Sequence, residues 1–300
     1  MEKIIVTNLS KQRKGFAVLD EISFGVHQGE ILAIIGEPSS GKTLLTKLMG
    51  RIVLTKKGDA RYDRRDTGMV ISDQCLYPDN TVQGTLKYYA GLKKKHVSNA
   101  QVLNTLNLVG LKAMRKEYVD KLGPNQLTRL KIAVALVTRP GILILDDPFT
   151  GLSSSEAHHM RVLFKTLADG LGTAILLTAR TLAEVEDICD RIALIDSGAL
   201  VCIKSYNSLA REVEPYTKIC VTTAVPNFTA RSIETALGYE TAICGEDVIV
   251  NAHPDNAQAI YDELRRQEIE VLGMTRVNKS IQEVFYNMVA RKRGGSSVLA

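Results

Sequence analysis

Short runs of uninterrupted apolar residues recur along the first two thirds of the chain, as in Ile-Leu-Ala-Ile-Ile at 31–35 and Ile-Leu-Ile-Leu at 142–145. Strands buried on both faces of a parallel sheet have this composition. The predicted strands are Lys3–Thr7, Leu19–Val26, Glu30–Ile35, Gly68–Ser72, Ile142–Asp146, Thr173–Leu177 and Arg191–Ile195. Between them, the pattern predicts helices at 81–92, 98–109, 126–138, 154–169 and 181–188. This alternation predicts an α/β fold with a mainly parallel sheet.

A smaller set of elements follows the polar stretch Ala210–Pro215. The predicted elements there are strands at Lys218–Thr223, Tyr239–Cys244, Asp247–Asn251 and Glu270–Val277, and helices at Phe228–Leu237, Asn256–Gln267 and Ser280–Arg291. This βαββαβα order indicates a small ferredoxin-like α+β domain. We therefore divide the chain into a larger domain at 1–213, a small domain at 216–291 and a flexible tail at 292–300.

Composition and charge exclude several classes of protein. The 300 residues are 45% hydrophobic and 24% charged, with a net charge of +5, as in an ordinary globular protein. No run of about 18 apolar residues is present, so we expect no membrane span. The N-terminal residues lack the basic-then-apolar order of a signal peptide. The five cysteines are scattered without metal or redox spacing, which predicts reduced thiols in a cytosolic protein.

The predicted strand at 30–35 runs directly into a phosphate-binding loop of the pattern G-x-x-x-x-G-K-[ST]. Its residues are Gly36, Glu37, Pro38, Ser39, Ser40, Gly41, Lys42 and Thr43, and Leu44 follows in the helix. The glycines let successive N–H groups point at phosphate oxygens, Lys42 can reach the β- and γ-phosphates, and Thr43 can offer a hydroxyl to Mg²⁺. A structural glycine-rich turn is the alternative. The strand before the loop and the helix after it favour a nucleoside triphosphate site.

A pair of acids, Asp146 and Asp147, ends the predicted strand at 142–146. The carboxyl ends of parallel strands form the edge at which ligands bind in open α/β sheets. Asp146 would coordinate Mg²⁺, and Asp147 would lie near the γ-phosphate, where it could orient or deprotonate the attacking water. A solvated turn explains an isolated acidic strand end equally well. Following a phosphate loop at this distance, the pair indicates nucleotide chemistry.

The order and spacing of these motifs resemble the nucleotide-binding subunits of ATP-binding cassette (ABC) transporters over nearly the whole chain. The family signature, Leu-Ser-Gly-Gly-Gln, is expected where this chain has Leu122, Gly123, Pro124, Asn125 and Gln126. Pro148–Leu152 is similar to the family's D-loop, Gln74 to its Q-loop glutamine, and Val185–Arg191 to the segment after its switch histidine. The resemblance implies a P-loop ATPase core at 1–213 with a helical subdomain at about 75–138.

The resemblance also implies a cofactor, partners and a location. Such subunits bind ATP with Mg²⁺, here with Thr43, Gln74 and Asp146 as the implied metal ligands. They dock on transmembrane permease subunits at the cytoplasmic face of the cell membrane, and we expect the region from Gln74 to Thr85 to make that contact. They also pair head to tail, so that each ATP lies between the phosphate loop of one subunit and the signature of the other.

The C-terminal residues indicate a subfamily. Lys279–Phe285 resembles the ending of ATPases that serve ABC-2 type exporters, in which a small regulatory domain follows the cassette. An amphipathic helix with Ile281, Val284 and Phe285 on its buried face is the other interpretation, and both can hold. We therefore expect an exporter rather than an importer. The transported substrate is not encoded in this chain, because the pathway would lie in the permease.

Departures from the family pattern cluster at catalytic positions. The glutamate expected after the magnesium aspartate is Asp147, one methylene shorter, and the switch histidine is Arg180. The signature has lost its serine and both glycines, and Ser153 replaces the D-loop aspartate. Arg13 stands at the position of the aromatic that stacks on adenine, so Phe16 or Arg13 itself would have to substitute. We expect MgATP binding with weak or partner-assisted hydrolysis, in a heterodimer with a more conventional ATPase rather than a homodimer.

Two other functions are considered. In a non-hydrolytic scaffold or regulatory subunit of a heterodimeric complex, ATP would only close the dimer. A soluble cassette protein acting on ribosomes or DNA is disfavoured, because those chains carry two cassettes or a long coiled-coil insert and this chain has a single phosphate loop. The lysines at 93–95 fit a solvated helix end, so we expect no nucleic-acid partner.

Overall fold

The computed structural model describes residues 1–13, 16–55, 57–206, 208 and 218–277. The chain forms two compact units, Met1–Tyr206 and Asn207–Ala300. The predicted linker at 210–215, the last helix at 280–291, the exporter-like motif at 279–285 and the tail at 292–300 lie outside the described residues. The side chains of Arg13 and Phe16, the two candidates for adenine stacking, also lie outside the description.

The described part of the first unit contains one nine-stranded sheet, in the order β4-β1-β2-β9-β8-β3-β7-β6-β5. Its strands are β1 (Glu2–Arg13), β2 (Phe16–His27), β3 (Ile31–Ile35), β4 (Lys57–Arg61), β5 (Thr67–Val70), β6 (Ile142–Leu145), β7 (Ala174–Ala179), β8 (Arg191–Asp196) and β9 (Ala199–Ser205). The run β8-β3-β7-β6-β5 is parallel throughout. Antiparallel pairs β1/β2, β1/β4 and β8/β9 extend it at the other side.

Five α-helices accompany the described part of this sheet: α1 (Lys42–Met49), α2 (Val82–Leu92), α3 (Asn99–Leu108), α4 (Pro124–Leu136) and α5 (Ser154–Leu171). Short 3₁₀ turns lie at Lys112–Met114, Val119–Lys121 and Leu182–Glu184. The predicted helices at 81–92, 98–109, 126–138 and 154–169 agree with α2 to α5 within about two residues, the usual uncertainty of helix ends. Among the described residues, no helix has the length and apolar character needed to cross a membrane.

The helix predicted at 181–188 is wrong. Only the 3₁₀ turn Leu182–Glu184 forms there, and a series of turns follows it. Val185, with φ −134°, has left the helical region, although Val185, Ile188 and Cys189 are all buried. These buried positions produce helical spacing because consecutive turns, like a helix, return side chains to the core every three or four residues. The prediction also missed β4 and β9, whose residues are mostly exposed or half-buried and therefore lack a continuous apolar run.

Burial on both faces explains why the central strands read as apolar runs. All residues of β3, β6 and β7 are buried. Leu45 and Met49 of α1 belong to the same core cluster as Leu32, Ile34 and Leu176 of the sheet. Burying each such side chain contributes about 1.5–3 kcal/mol. Because β3, β7 and β6 are adjacent and parallel, the segments that leave their carboxyl ends meet at one edge of the sheet.

The second unit, in its described residues, has the order βαββαβ of a ferredoxin-like domain. Its elements are β10 (Lys218–Thr222), α6 (Pro226–Leu237), β11 (Thr241–Cys244), β12 (Asp247–Val250), α7 (Ala257–Arg266) and β13 (Gly273–Val277), with a 3₁₀ turn at Pro254–Asn256. The strand order is β11-β12-β10-β13, and all neighbouring pairs are antiparallel. Ile219 and Val221 of the sheet pack with Ile233, Ile260 and Leu264 of the helices.

Candidate functional site

The phosphate-binding loop joins β3 to α1 in a conformation that requires its glycines. Gly41 lies immediately before α1 with φ 105°, in the region that side chains disfavour. A Cβ at Gly36 would lie 2.1 Å from the carbonyl oxygen of Ile195 in β8, closer than atoms can approach. The loop therefore fits tightly between the end of β3 and its neighbours. The residues predicted to cradle phosphate from sequence alone are held together as one turn.

Lys42 places its ammonium across this loop. Its Nζ donates to the carbonyl oxygens of Gly36 (2.6 Å) and Glu37 (2.9 Å) and to Oγ of Ser40 (3.4 Å). Burial lowers the pKa of Lys42, and the carboxylates of Asp147 and Asp146 oppose that shift. The positive charge is thus held at the loop by backbone oxygens that a bound phosphate would replace, as the sequence predicts for this lysine.

Asp146 is the buried centre of the site, with only 1% of its surface exposed. Its Oδ1 accepts hydrogen bonds from Oγ1 of Thr178 (2.9 Å) and Oγ1 of Thr43 (3.3 Å). Its Oδ2 accepts one from Oγ of Ser72 (2.6 Å). A carboxylate and a hydroxyl side by side are the oxygen ligands that Mg²⁺ prefers, so Thr43 and Asp146 fit the predicted metal site.

The structure adds Ser72 and Thr178 to the site, neither of which was singled out from the sequence. Ser72 ends the predicted strand at 68–72, and Thr178 directly follows the predicted strand at 173–177. The only signal in the sequence for these two partners of Asp146 was their polar character at the carboxyl ends of predicted strands. Which of them reach Asp146 depends on the strand order, because β5 and β7 flank β6 in the sheet.

Asp147 forms an ion pair with Arg180. Nε of Arg180 donates to Oδ2 of Asp147 at 2.8 Å, and the carboxylate is only 17% exposed. The backbone N–H of Asp147 donates to Oγ1 of Thr178 (2.9 Å), and its φ of 51° is in the left-handed region. The backbone N–H of Arg180 donates to Oε2 of Glu184 at 3.0 Å. Asp147 and Arg180, which stand at the positions of the glutamate and the switch histidine in the family pattern, therefore contact each other directly.

Gln74 does not line the phosphate cavity. It lies two residues beyond Ser72 and lines a separate cavity of about 250 Å³, together with Tyr62, Arg64 and Tyr89. The chain turns at Gln74, whose N–H donates to the carbonyl of Ile71, and residues of α2 and α4 line the same cavity. The structure brings Thr43 and Asp146 together but does not add Gln74 to them as a metal ligand.

The main cavity has a volume of about 850 Å³. Residues of the phosphate loop and of the neighbouring strand ends line it: Pro38, Ser39, Gly41, Lys42, Thr43, Asp146, Asp147, Thr178 and Arg180. Four further residues complete the lining: Lys11, Val18, Leu44 and Val53. Of these four, the sequence singled out only Leu44. Val18 and Val53 come from β2 and from the segment after α1, and only the fold brings them together.

The signature segment lies outside this cavity, at the start of α4. Gly123 precedes the helix, Pro124 is its first residue, and Oε1 of Gln126 accepts a hydrogen bond from the N–H of Gly123 (2.8 Å). Leu122 is buried, at 7% exposure. Nδ2 of Asn125 donates to Oε1 of Glu156 at 3.1 Å. The side chain that replaces a glycine is thereby tied to α5.

Glu156 also binds Ser153 and Arg129. Its Oε2 accepts from the N–H (3.0 Å) and Oγ (2.9 Å) of Ser153, and its Oε1 lies 3.2 Å from Nη2 of Arg129. The backbone N–H of Ser153, then its hydroxyl, and then the charge of Arg129 with the amide of Asn125 lower the pKa of Glu156. We call these four residues the Glu156 cluster. The Ser-x-x-Glu pattern at 153–156 is a capping box, a sequence signal that predicts the Ser153 contact but not the others.

Comparison with known proteins finds similarity to ABC transporter ATP-binding proteins. Residues 19–150 match the family model described as "ABC transporter". The chain is 27% identical over 291 residues to an uncharacterized ABC transporter ATP-binding protein, YdbJ, of Bacillus subtilis, and the match covers 93% of each chain. It is 30% identical over 199 residues to the methionine import ATP-binding protein MetN 3 of Oceanobacillus iheyensis, covering 60% of this chain and 58% of that one.

Solved structures agree with the fold. The chain superposes on the ATP binding subunit of an ABC transporter with a TM-score of 0.63 at 21% identity, over 70% of this chain and 92% of that chain. A dimeric bacterial ABC transporter cassette gives a TM-score of 0.63 at 21% identity, over 68% of this chain and 98% of that chain. The predicted α/β P-loop ATPase core is confirmed.

Replacing Thr178 tests the hydrogen bonds that fix both acids. In Thr178→Val, Asp146 loses one donor and the N–H of Asp147 loses its acceptor, so we expect the free energy of unfolding to fall by about 1–3 kcal/mol. Thr178→Ser keeps the hydroxyl and is the matched control. Urea denaturation followed by circular dichroism measures the difference. A loss in Thr178→Ser with none in Thr178→Val would mean that the methyl group matters and the hydroxyl does not.

The Glu156 cluster predicts a pH dependence of stability. The folded-state pKa of Glu156 lies below its ordinary value of 4.5, so the ionised group stabilises the fold above that pH. This contribution is lost as the pH falls through the folded-state pKa. We expect Glu156→Gln to be less stable than the natural protein at neutral pH, with the difference shrinking below pH 4.5. Urea denaturation across pH checks this, with Glu117→Gln, an exposed glutamate, as control. A difference independent of pH contradicts the prediction.

Proposed function

We propose that this chain is an ATP-binding subunit of the ABC transporter type that binds MgATP tightly but hydrolyses it slowly on its own, as the degenerate half of an exporter. The observation that carries the proposal is the ion pair between Asp147 and Arg180. It separates the two tasks of the site. The phosphate loop, Lys42 and Asp146 are positioned to hold nucleotide. The carboxylate of Asp147, which would activate the attacking water, instead pairs with Arg180.

Nucleotide binding is supported by the loop and by the buried acid. Successive loop N–H groups, the ammonium of Lys42 and the start of α1 together favour an anion. Thr43 and Asp146 would hold Mg²⁺, which neutralises phosphate charge when bound. Asp146 is fixed by Ser72 and Thr178, so the ligand geometry is prepared in advance. This arrangement costs little reorganisation on binding.

Slow hydrolysis is supported by the position of Asp147. A general base must present a free carboxylate oxygen about 3 Å from the water it deprotonates. Asp147 is one methylene shorter than glutamate, and its Oδ2 already accepts a hydrogen bond from Arg180. Arginine stays protonated, so it cannot exchange protons as the family's histidine can. Loss of one such catalytic group typically slows a reaction about 10²–10⁴-fold.

Partnering with a more conventional ATPase is supported by the signature segment. In a head-to-tail pair the signature faces the ATP held by the other subunit. Here Pro124 lacks an N–H, and the Asn125 side chain and the Glu156 carboxylate lie at the start of α4. A negative charge at that point opposes an approaching phosphate. A partner with an intact glutamate, histidine and signature would provide its own glutamate and histidine at the ATP site that its phosphate loop forms.

Docking on a permease at the cytoplasmic face of the membrane is supported by an exposed aromatic surface near Gln74. Tyr77 and Tyr88 are 56% and 40% exposed, and their rings meet edge to face with centroids 5.2 Å apart. Clustered exposed aromatic rings are typical of interfaces. Tyr77 lies within the region from Gln74 to Thr85 that the sequence predicts to contact the permease, and Tyr88 lies three residues beyond that region on α2.

Export is proposed from the ferredoxin-like second unit and from the motif at 279–285. Relatives of this chain include proteins named for methionine import and for sulfate/thiosulfate import. Those matches cover about two thirds of this chain, whereas the match to YdbJ covers 93% of it, second unit included. The alternative, a scaffold in which ATP only closes a dimer, makes a different prediction about turnover.

ATP turnover by three purified forms tests the proposal. We expect the natural protein to be slow, Arg180→His to be faster because Asp147 is released, and Asp147→Asn to be slower than both. Lys42→Ala, which removes the loop ammonium, is the control for binding, measured by calorimetry with MgATP. If MgATP binds normally and the rates of the natural protein, Arg180→His and Asp147→Asn are indistinguishable, the scaffold alternative replaces slow hydrolysis.

The composition of the native complex tests the partner. We expect the tagged chain, isolated from its natural cells with membrane solubilised in mild detergent, to carry one copy of a second ATPase together with permease subunits. Native mass spectrometry measures the stoichiometry. A symmetric complex with two copies of this chain and no other ATPase would refute the heterodimer.

A further inference from the structure

The turn that follows β5 is held from three sides. Ser72 lies two residues after β5, and its Oγ (2.6 Å) and its N–H (3.3 Å) both donate to Oδ2 of Asp146. Its carbonyl oxygen accepts a hydrogen bond from Nζ of Lys131 at 3.0 Å. The next residue, Asp73, forms an ion pair with Lys47. The turn therefore connects the buried acid at the end of β6 with α1 and with α4.

Lys131 belongs to the helix that begins with the signature segment. It lies on α4, five residues after Gln126, and is half-buried. The helix also lies directly against β5, because a Cβ at Gly68 would be 2.3 Å from the carbonyl oxygen of Ala135. This close backbone contact is near the C-terminal end of α4, whereas Lys131 is nearer the signature segment. A movement of the signature end of α4 would therefore act on the hydrogen bond from Lys131 to Ser72.

Gln74 does not make this connection between α4 and the buried acid. It lines the separate cavity, in which residues of α4 also take part. The described side chains that donate to the carboxylate of Asp146 are those of Thr43, Ser72 and Thr178. Among the described hydrogen bonds of these three residues, only those of Ser72 include a bond to α4. The route from the metal site to the signature helix thus runs through Ser72.

We propose that Lys131 is a positioning residue for the metal site, which holds Ser72 against Asp146 and couples Mg²⁺ at this chain's nucleotide to the position of the signature helix. The inference rests on the proposed MgATP binding and deepens it. Hydrogen-bond partners of a metal ligand orient that ligand, and their loss typically lowers metal affinity about 10–100-fold. Ser72 is such a partner. Lys131 acts through Ser72, so its loss has a smaller effect.

The coupling acts in both directions, as any coupling between binding and conformation must. If the contact between Lys131 and Ser72 raises the affinity for Mg²⁺, then bound Mg²⁺ stabilises that contact by the same free energy. In the proposed head-to-tail pair, the signature segment of this chain faces the nucleotide of the partner. The contact would thereby let the partner's site respond to the metal that this chain holds.

Calorimetry with ATP, once with Mg²⁺ and once with EDTA, tests the positioning role. ATP affinity in EDTA should be the same in the natural protein, Lys131→Met and Ser72→Ala. The gain in affinity that Mg²⁺ provides should shrink about tenfold in Ser72→Ala and about threefold in Lys131→Met. Lys131→Arg keeps a donor and should restore the gain. In the double variant, Lys131→Met should add little to Ser72→Ala, because both act through one contact.

Hydrogen exchange measured by mass spectrometry tests the coupling to α4. Adding Mg²⁺ to the ATP-bound natural protein should slow amide exchange in peptides that cover Pro124–Leu136. The same addition should slow exchange less in Lys131→Met, because the metal site no longer contacts the helix. Peptides from α3 serve as the internal reference. Equal protection of α4 by Mg²⁺ in both proteins would overturn the coupling.

The controls separate this inference from the proposed function. Lys87→Met makes the same substitution at an exposed lysine of α2 and should leave every value unchanged. A natural protein that binds ATP neither with Mg²⁺ nor in EDTA would refute the proposed function itself. Normal binding with an unchanged contribution of Mg²⁺ in Lys131→Met would overturn the role of Lys131. Losses that add in the double variant would overturn it as well, since the two residues would then act independently.

Discussion

The buried carboxylate of Asp146 is the constraint on which the rest of the site depends. An ionised carboxylate can remain in a protein interior only if hydrogen bonds replace its water, since an unpaired buried charge costs several kcal/mol or more. Asp146 meets this requirement with hydroxyls from α1, from the end of β5 and from β7. Its position at the end of β6 thus ties the phosphate loop and the neighbouring strand ends into one unit. The fixed position of the phosphate loop beside these strand ends is a consequence of this buried carboxylate.

The same network also fixes Asp147, because Thr178 contacts both acids. Thr178 bonds the side chain of Asp146 and the backbone of Asp147 at once, so the two acids cannot move independently. This leaves the Asp147 carboxylate within reach of Arg180, which occupies it. In a site with glutamate and histidine at these positions the longer carboxylate and the titratable ring could both serve a water. Here each of the two groups satisfies the other, which is the basis of the proposal that tight nucleotide binding and slow turnover occur together in this fold.

The Glu156 cluster is a second group of side chains whose hydrogen bonds and charges are paired within the chain. It lies at the start of α4, the segment that would face a partner subunit. Glu156 joins the start of α5 to the start of α4 through Ser153, Asn125 and Arg129. The signature helix therefore begins against a carboxylate of its own chain. The Asp147–Arg180 pair and the Asn125–Glu156 contact share one physical feature. In each, a side chain at a position where the family pattern contacts nucleotide bonds to another residue of its own chain. The proposal of an unequal partner follows from the two together.

The sequence by itself determined those elements whose conformation depends on residues close together along the chain. The central strands appear as apolar runs because both faces are buried, and the loop from Gly36 to Thr43 can be read because its backbone conformation is set locally. Tertiary structure decided what depends on strand order and on approach across the sheet. It selected Ser72 and Thr178 as partners of Asp146, paired Arg180 with Asp147, placed Gln74 in a different cavity and brought Lys11 and Val53 to the cavity beside the phosphate loop. No spacing along the chain encodes these contacts, since they join residues on different strands and helices. The failure at 181–188 has the same origin, because burial alone produces helical spacing and only the fold decides whether the backbone follows it.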